Sequence, residues 1–324
     1  MADSQLPPSD PQAAAGGPGL WHVSAGSARG TAHRAAGLPN QDSVACRTAA
    51  AGGGMTVVAV ADGHGHCRHF RSADGSALAV AAGCRVGSRL AADLAGQAAR
   101  AGAEAAVRSS LDALVREWHD AVAGHLACHP YTAREQAAFE ITGDGADVPY
   151  GSTLLVALVC RRWLACAQIG DGDFLAVRPG GESVVPLPGD DRLDGLLTTS
   201  LCQQNAQAAF RIGVHNLGEV PLLALLLATD GFGNAQTADP WQPGVGRDLA
   251  ELAAEHDHRW FGDQVPKWAE RCASAEGSGD DTTIVLLLNP GAMALAAQAL
   301  ASQRSVVTSG TAGDDGTQEE GAEQ

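Results

Sequence analysis

Short runs of apolar residues, each about as long as a β-strand, recur along the middle of the chain. They lie at 21–25, 56–61, 153–160, 163–169, 174–177, 222–228 and 282–288. Several are apolar at every position rather than at alternate ones, which is typical of strands covered on both faces. Only Arg161 and Arg162 separate two of the runs, and this spacing predicts a hairpin.

Longer segments have apolar residues three or four positions apart, the spacing of amphipathic helices. They are 73–95, 99–127, 247–256 and 262–275. A doubly wound parallel sheet fits this order poorly, because the strands predicted at 153–160, 163–169 and 174–177 follow one another without helices between them. The pattern favours a strand-rich sandwich with helices packed outside both sheets.

The two ends of the chain differ in composition from its middle. Residues 1–19 are rich in Pro, Gly, Ala and Ser, and residues 302–324 are polar and acidic. Neither segment can bury enough apolar surface to offset the entropy lost on ordering. We therefore expect a disordered N-terminal segment at 1–19, one domain at 20–290, and a short helix followed by an acidic disordered tail over 291–324.

Composition narrows the functional classes. The chain has 324 residues, with 21 Lys and Arg against 37 Asp and Glu and a formal net charge of −16. This balance argues against binding to nucleic acid or to an anionic membrane surface. The N-terminus lacks a basic region followed by an apolar stretch, and the eight cysteines form no CxxC pair. We expect a cytoplasmic protein with reduced cysteines and no membrane partner.

Acidic residues stand at the ends of the predicted strands. Asp62, Asp171 and Asp230 follow apolar runs, whereas Asp280 and Asp281 precede one. In an antiparallel sheet the end of one strand meets the start of its neighbour, so Asp62, Asp230 and Asp280 can reach a common edge. Carboxylates gathered there repel one another unless a cation neutralises them. Ligand sets made only of oxygen favour Mg²⁺ or Mn²⁺.

Two other interpretations of these residues are open. A single Asp-Gly pair after a strand is usually a turn, although several such endings together are harder to explain in that way. Zinc is the second alternative, because His64, His66, Cys67 and His69 cluster within a short segment. A closed zinc site usually takes paired ligands from two segments, and the sequence offers no second pair.

Taken in order, the motifs resemble those of the metal-dependent protein phosphatase family, the protein phosphatase 2C type, and especially its bacterial branch. The matching blocks are GTAHRAAGLPNQDSVA (30–45), VVAVADGHG (57–65), GSTLLVALV (151–159), AQIGDGD (167–173), LLLATDGFGNA (225–235) and GDDTTIVLL (279–287). The resemblance implies an α+β fold, a four-layer α-β-β-α sandwich with two central antiparallel sheets flanked by helices. It also implies hydrolysis of phosphoserine and phosphothreonine in proteins.

The resemblance implies a metal centre as well. Asp62 would bridge two Mn²⁺ or Mg²⁺ ions, the carbonyl of Gly63 would bind one of them, and Asp230 and Asp280 would hold the other. Asp171 would hold a third, weaker ion. The nucleophile would be a hydroxide bridging the two metals, and no covalent intermediate would form.

Further residues would act around the metals. Asp42 would orient metal-bound water, and His64 would give a proton to the leaving oxygen. The alternative for His64 is a loop residue that only forms local hydrogen bonds. Many family members grip the substrate phosphate with an arginine ahead of the first acidic motif. Arg34 and His33 are both candidates for that role here, and the sequence does not choose between them or exclude a solvated loop. The segment 189–216 stands where the family carries a variable flap.

The resemblance suggests a monomer that acts on the phosphorylated protein substrates of a Ser/Thr kinase in signalling. Two alternatives are a catalytically weak or inactive phosphatase-like binding module and a hydrolase of small phosphate esters. The presence of Asp62, Asp230 and Asp280 favours an enzyme over the binding module.

Overall fold

The computed structural model describes residues 20–50, 54–142, 145–189 and 198–298. Within these ranges the strands form two five-stranded sheets, ordered β1-β10-β9-β6-β7 and β2-β3-β4-β5-β8, with every neighbouring pair antiparallel. The strands are β1 His22–Ala28, β2 Ser43–Ala49, β3 Met55–Ala61, β4 Leu154–Cys160, β5 Trp163–Ile169, β6 Asp173–Val177, β7 Ser183–Val184, β8 Arg211–Asn216, β9 Ala224–Ala228 and β10 Thr282–Leu288.

Helices cover the outer faces of the two sheets. They are α1 Thr31–Ala36, α2 Ser72–Ala95, α3 Arg100–Cys128, α4 Ala133–Thr142, α5 Ala206–Ala209, α6 Asp230–Gly233, α7 Gln242–Glu255, α8 His258–Cys272 and α9 at 290–298. Buried residues of α2 and α3 pack on the sheet that contains β3, and those of α7 and α8 pack on the sheet that contains β10. No helix in the described ranges is both long and apolar enough to cross a membrane.

Both faces of the central strands are buried, which explains their continuous apolar runs. In β3, Val57 and Ala59 belong to the core under α2 and α3, whereas Val58 and Val60 belong to the core between the sheets. Leu227 of β9 lies in that same inter-sheet core. The predicted α+β four-layer α-β-β-α sandwich is therefore confirmed, and so is the hairpin between β4 and β5, where Cys160 pairs with Trp163.

Several elements were not predicted. The strand β2 is half exposed and carries few large apolar residues, so its sequence gives a weak signal. The helix α1 buries no residue, and α4 buries little apolar surface. The amphipathic pattern of both helices is correspondingly weak. The helix α8 begins earlier than predicted because Asp257 caps it, accepting hydrogen bonds from the backbone N–H groups of Arg259 and Trp260.

The segment 189–216 was predicted to be a flap, and for its C-terminal part this was wrong. Arg211–Asn216 is strand β8, whose backbone pairs with β5 over six residues. Its sequence RIGVHN has only two large apolar residues, Ile212 and Val214, so the apolar pattern of this strand is weak. Residues 190–197, together with the proposed disordered segments 1–19 and 302–324, lie outside the described residues. The short helix expected at the start of 291–324 is described at 290–298.

Candidate active site

The acidic residues lie where strands of both sheets end at the same side of the sandwich. Asp62 follows β3 and is tied to the start of β4, because its backbone N–H donates to Oγ1 of Thr153 (3.0 Å) and its carbonyl accepts from the N–H of Thr153 (2.8 Å). In the other sheet, Asp230 follows β9, and Asp173 opens β6 opposite Ala228. Two rigid sheets therefore bring carboxylates together from segments far apart in sequence.

These strand ends surround a cleft of about 640 Å³. All four predicted metal-binding carboxylates line this cleft, as do Gly63, His33 and His64. Several further lining residues were not indicated by the motifs. The lining residues are His33, Asp62, Gly63, His64, Gly65, His66, Arg68, His69, Val148, Asp171, Thr198, Ser200, Cys202, Gln203, Asp230 and Asp280.

The carboxylates strongly affect one another. Burial raises the pKa of Asp62 well above its usual value, and the charges of Asp42, Asp230, Asp280 and Asp171 raise it further. Burial and the charges of Asp171 and Asp280 raise the pKa of Asp230 to about 6, partly offset by a hydrogen bond with Asp62. This environment opposes full ionisation of the acids unless positive charge is supplied.

Asp42 is buried near the acids of the cleft and is not among the described residues that line it. Its Oδ2 accepts a hydrogen bond from Oγ1 of Thr229 (2.8 Å), and its Oδ1 is buried without a hydrogen-bond partner. Burial is the main reason that its pKa is raised to about 8. Oδ1 of Asp230 is a second buried oxygen without a partner. Such atoms are costly unless a proton, a water or a cation satisfies them.

The chemistry of these donors fits a hard divalent cation. Four carboxylates line the cleft, and the buried Oδ1 atoms of Asp230 and of the nearby Asp42 lack hydrogen-bond partners. Gly63 has no room for a side chain, since an added Cβ would lie 2.6 Å from the carbonyl oxygen of Ser72. Within the described ranges, however, no three His, Cys, Asp or Glu side chains are already gathered as ligands of one ion.

The two acids before β10 have different environments. Asp280 is half exposed and lines the cleft. Asp281 is buried, where Oδ1 accepts from the N–H of Gly30 (2.7 Å) and Oδ2 accepts from the N–H of Gln41 (2.6 Å). Asp281 therefore joins the segment after β1 to the start of β10, and Asp280 is left to face the cleft.

His33 and Arg34, the two candidates for holding phosphate, are also separated by the structure. Nδ1 of His33 lies 2.6 Å from Oδ2 of Asp281, and its Nε2 lies 3.6 Å from Oδ1 of Asp280. This arrangement places His33 on the cleft wall as a link between the two acids. Arg34, one position along the same short helix, is exposed and is not among the described lining residues.

His64 is held by the segment that follows residues 190–197. Its Nε2 lies 2.7 Å from Oγ of Ser200, which in turn donates to the carbonyl oxygen of Ser152 (3.2 Å). The backbone N–H of His64 donates to the carbonyl oxygen of Gly151 (3.1 Å). Burial, with a smaller effect from His69, lowers the pKa of His64 to about 4. The ring therefore has a fixed orientation at the edge of the cleft.

The cluster that suggested zinc is not arranged as a metal site. Nδ1 of His69 lies 2.5 Å from the carbonyl oxygen of Val148, and Nδ1 of His66 accepts a hydrogen bond from the N–H of Arg68. The rings of His64 and His69 meet edge to face, with centroids 4.9 Å apart. These contacts turn the ring nitrogens toward different partners, which gives the zinc alternative no support.

The sequence analysis assigned no role to four residues of the site. Asp173, whose pKa is raised to about 7 chiefly by burial, adds a carboxylate beside Asp230. Its position as the second acid of the GDGD stretch could have indicated it. Asp281 was visible only as the neighbour of Asp280. No sequence motif indicates Ser200 or Arg68. Only the tertiary structure brings these two residues to the cleft.

Solved structures with this fold define the class of protein. A bacterial serine phosphatase bearing an R161E mutation has 15% sequence identity, with a TM-score of 0.53, 83% of this chain covered and 98% of that one. The serine/threonine phosphatase Stp1 from Staphylococcus aureus has 15% identity, with a TM-score of 0.53 and coverages of 83% and 95%. PppA, a regulatory component of T6SS in Pseudomonas aeruginosa, has 16% identity, with a TM-score of 0.50 and coverages of 83% and 97%. The fold is thus that of bacterial serine/threonine phosphatases.

The sequence profile of the protein phosphatase 2C family matches residues 29–268, most of the chain. The protein therefore belongs to this family of metal-dependent serine/threonine phosphatases. A search among curated proteins gives no match.

Proposed function

We propose that this protein removes phosphate from phosphoserine and phosphothreonine in protein substrates, with Mn²⁺ or Mg²⁺ as its cofactor. The observation that carries the proposal is the convergence of Asp62, Asp171, Asp230 and Asp280 on one cleft at the ends of strands from both sheets. The family to which the chain belongs supports the same reaction.

The metal ions would be held by residues already at the cleft. Asp62 would bridge two ions, the carbonyl of Gly63 would bind one, Asp230 and Asp280 would bind the other, and Asp171 would hold a weaker third. When bound, such ions activate water as a nucleophile and neutralise charge on the phosphoryl oxygens. Positive charge at this position would also relieve the repulsion that raises the pKa of Asp62.

The protein's own groups would complete the reaction. Asp42, buried behind the metal-binding acids with a free Oδ1, would orient water at the floor of the cleft. His64, which lines the cleft, would protonate the leaving serine or threonine oxygen once the negative charge of bound substrate raises its lowered pKa. His33 would keep Asp280 in place through its contact with Asp281.

The test is a phosphatase assay on p-nitrophenyl phosphate and on phosphoserine and phosphothreonine peptides after EDTA treatment, with Mn²⁺ or Mg²⁺ then restored. We expect turnover only with added metal, and none for Asp62→Asn. Metal-dependent turnover of the small ester without turnover of any phosphopeptide would favour the small-ester alternative. Absence of turnover on every substrate would favour a phosphatase-like binding module, and undiminished turnover in EDTA would overturn the metal mechanism.

A further inference from the structure

The cleft has an acidic floor, but its substrate is an anion. A phosphate monoester carries up to two negative charges, and Asp62, Asp171, Asp230 and Asp280 all face the same space. Metal ions bound to the carboxylates would neutralise part of this charge, while the phosphoryl oxygens directed away from the metals would still need a donor. A guanidinium is well suited to that position because it can donate two parallel hydrogen bonds.

Arg68 is the sole Arg or Lys in the described part of the chain that lines the cleft. Arg34, the arginine that the sequence offered for this role, is exposed on α1 and lies outside the lining. His33 is on the wall, but its two ring nitrogens already face Asp281 and Asp280. The cation best placed for the substrate therefore comes from the loop after Asp62 and not from the first motif.

The loop that carries Arg68 is fixed on both sides of it. On one side, the backbone N–H of His64 donates to the carbonyl oxygen of Gly151 (3.1 Å). On the other, the N–H of Arg71 donates to the carbonyl oxygen of Pro149 (2.8 Å), and the Arg71 guanidinium is buried against Glu135 and the Tyr150 hydroxyl. The backbone that carries Arg68 is therefore already ordered, so binding a ligand there does not require the loop itself to become ordered.

The Arg68 side chain also lies near the opposite wall. Burial raises the pKa of the Cys202 thiol, whereas the Ser200 hydrogen bond and the nearby charge of Arg68 act in the other direction. Cys202 and Ser200 both line the cleft. The Arg68 charge is thus close enough to Cys202 to affect its pKa, and both residues line the cleft that holds the acids.

We propose that Arg68 binds the phosphoryl oxygens of the substrate, a role that Arg34 of the first motif, exposed and outside the cleft lining, does not fill. The proposal rests on the proposed phosphatase function. It assigns Arg68 to the phosphate itself and not to the peptide that carries it, so the residue acts on every phosphate monoester and on the inorganic phosphate product.

The test compares Arg68→Ala and Arg68→Lys with Arg116→Ala, an exposed arginine of α3 away from the cleft. We expect Arg68→Ala to raise KM for p-nitrophenyl phosphate and for a phosphopeptide, and Ki for inorganic phosphate, each by about tenfold or more, the loss expected for a charge-assisted hydrogen bond. The KM and Ki values of Arg68→Lys should fall between those of the wild type and those of Arg68→Ala, since an ammonium keeps the charge but not the paired geometry. The Mn²⁺ concentration for half-maximal rate and the melting temperature should match those of Arg116→Ala.

Several results would overturn the proposal. They are a Ki for phosphate within twofold of wild type, a rise in KM confined to the phosphopeptide, and a fall in kcat with Ki unchanged. The same tenfold losses in Arg34→Ala, with Arg68→Ala unaffected, would also do so. If the wild-type protein hydrolyses no substrate, the proposed phosphatase function is wrong. Phosphate binding by Arg68 is then tested separately, by calorimetric titration of the Mg²⁺-loaded protein with inorganic phosphate. Weaker binding by Arg68→Ala then supports the proposal, whereas equal binding or no binding by wild type overturns it.

Discussion

Asp281 Oδ2 lies 2.6 Å from Nδ1 of His33 and also 2.6 Å from the backbone nitrogen of Gln41. One buried carboxylate therefore fixes a cleft histidine and the segment that leads to Asp42, although its neighbour Asp280 faces solvent. Adjacent acids in one motif thus have different tasks. Asp281 supports the structure of the site, and Asp280 is available to a ligand.

We expect Asp281→Asn to destabilise the protein by about 2–4 kcal/mol, because an amide would set its NH₂ against one of the backbone N–H groups now bonded to the carboxylate. Urea denaturation measures the loss. Asp280→Asn is the matched control: its side chain is half exposed, and it should keep the stability of the wild type while losing response to metal. Equal stabilities of the two variants would contradict the division of roles.

We expect Asp62→Asn to be more stable than the wild type in EDTA, because the substitution removes a buried charge that Asp42, Asp230 and Asp280 repel. Adding Mn²⁺ should raise the melting temperature of the wild type and leave that of Asp62→Asn almost unchanged. Thermal unfolding with and without Mn²⁺ measures both effects. A lower melting temperature for Asp62→Asn in EDTA would show that the acids are already neutralised in another way.

The hydrogen bond between His64 and Ser200 predicts an effect that depends on the leaving group. Loss of a general acid typically costs ~10²–10⁴-fold, mainly when the leaving oxygen is strongly basic. We expect His64→Gln to slow phosphopeptide hydrolysis by about this factor and p-nitrophenyl phosphate hydrolysis much less. Ser200→Ala should show the same selectivity to a smaller extent.

Thr198→Ala is the control for Ser200→Ala, since Thr198 lines the same wall and its hydroxyl bonds the Thr199 carbonyl rather than His64. Its rates on both substrates should stay near those of the wild type. If Ser200→Ala slowed both substrates equally, the hydrogen bond would have a structural role only.

The Arg71–Glu135 pair predicts a pH-dependent contribution to stability. The hydrogen bond from Arg71 is the main reason that the pKa of Glu135 is lowered to about 2 from 4.5. Because the folded-state pKa lies below the unfolded value, the stabilisation is fully present above pH 4.5 and is lost as the pH falls through about 2. We expect Glu135→Gln to cost about 1–3 kcal/mol at pH 7.

The difference between wild type and Glu135→Gln should shrink as the pH is lowered from 4.5 toward 2, as measured by urea denaturation at several pH values. Glu104→Gln serves as a control, because Glu104 forms an exposed pair with Arg100 within one helix and should contribute less than about 0.5 kcal/mol. A constant difference across this pH range would indicate that the carboxylate charge of Glu135 does not contribute.

Much of the fold could be predicted from local pattern. The runs that became β3, β4, β5 and β10 are apolar at every position because they are buried on both faces, and this pattern separates a covered sheet from an exposed one. The edge strand β8 could not be predicted in this way. It is held by backbone hydrogen bonds to β5, which leave little trace in side-chain type.

For the candidate site, the sequence by itself determined which acids stand at strand ends, and an antiparallel sheet brings such ends to a common edge. That rule led to Asp62, Asp230 and Asp280. Only the tertiary structure decided which neighbours share the cleft, because burial and side-chain direction depend on the packing of distant segments. Asp281 turned inward, Arg34 outward, and Arg68 and Ser200 came to the wall through the meeting of two loops 132 residues apart, a relationship that no local pattern encodes.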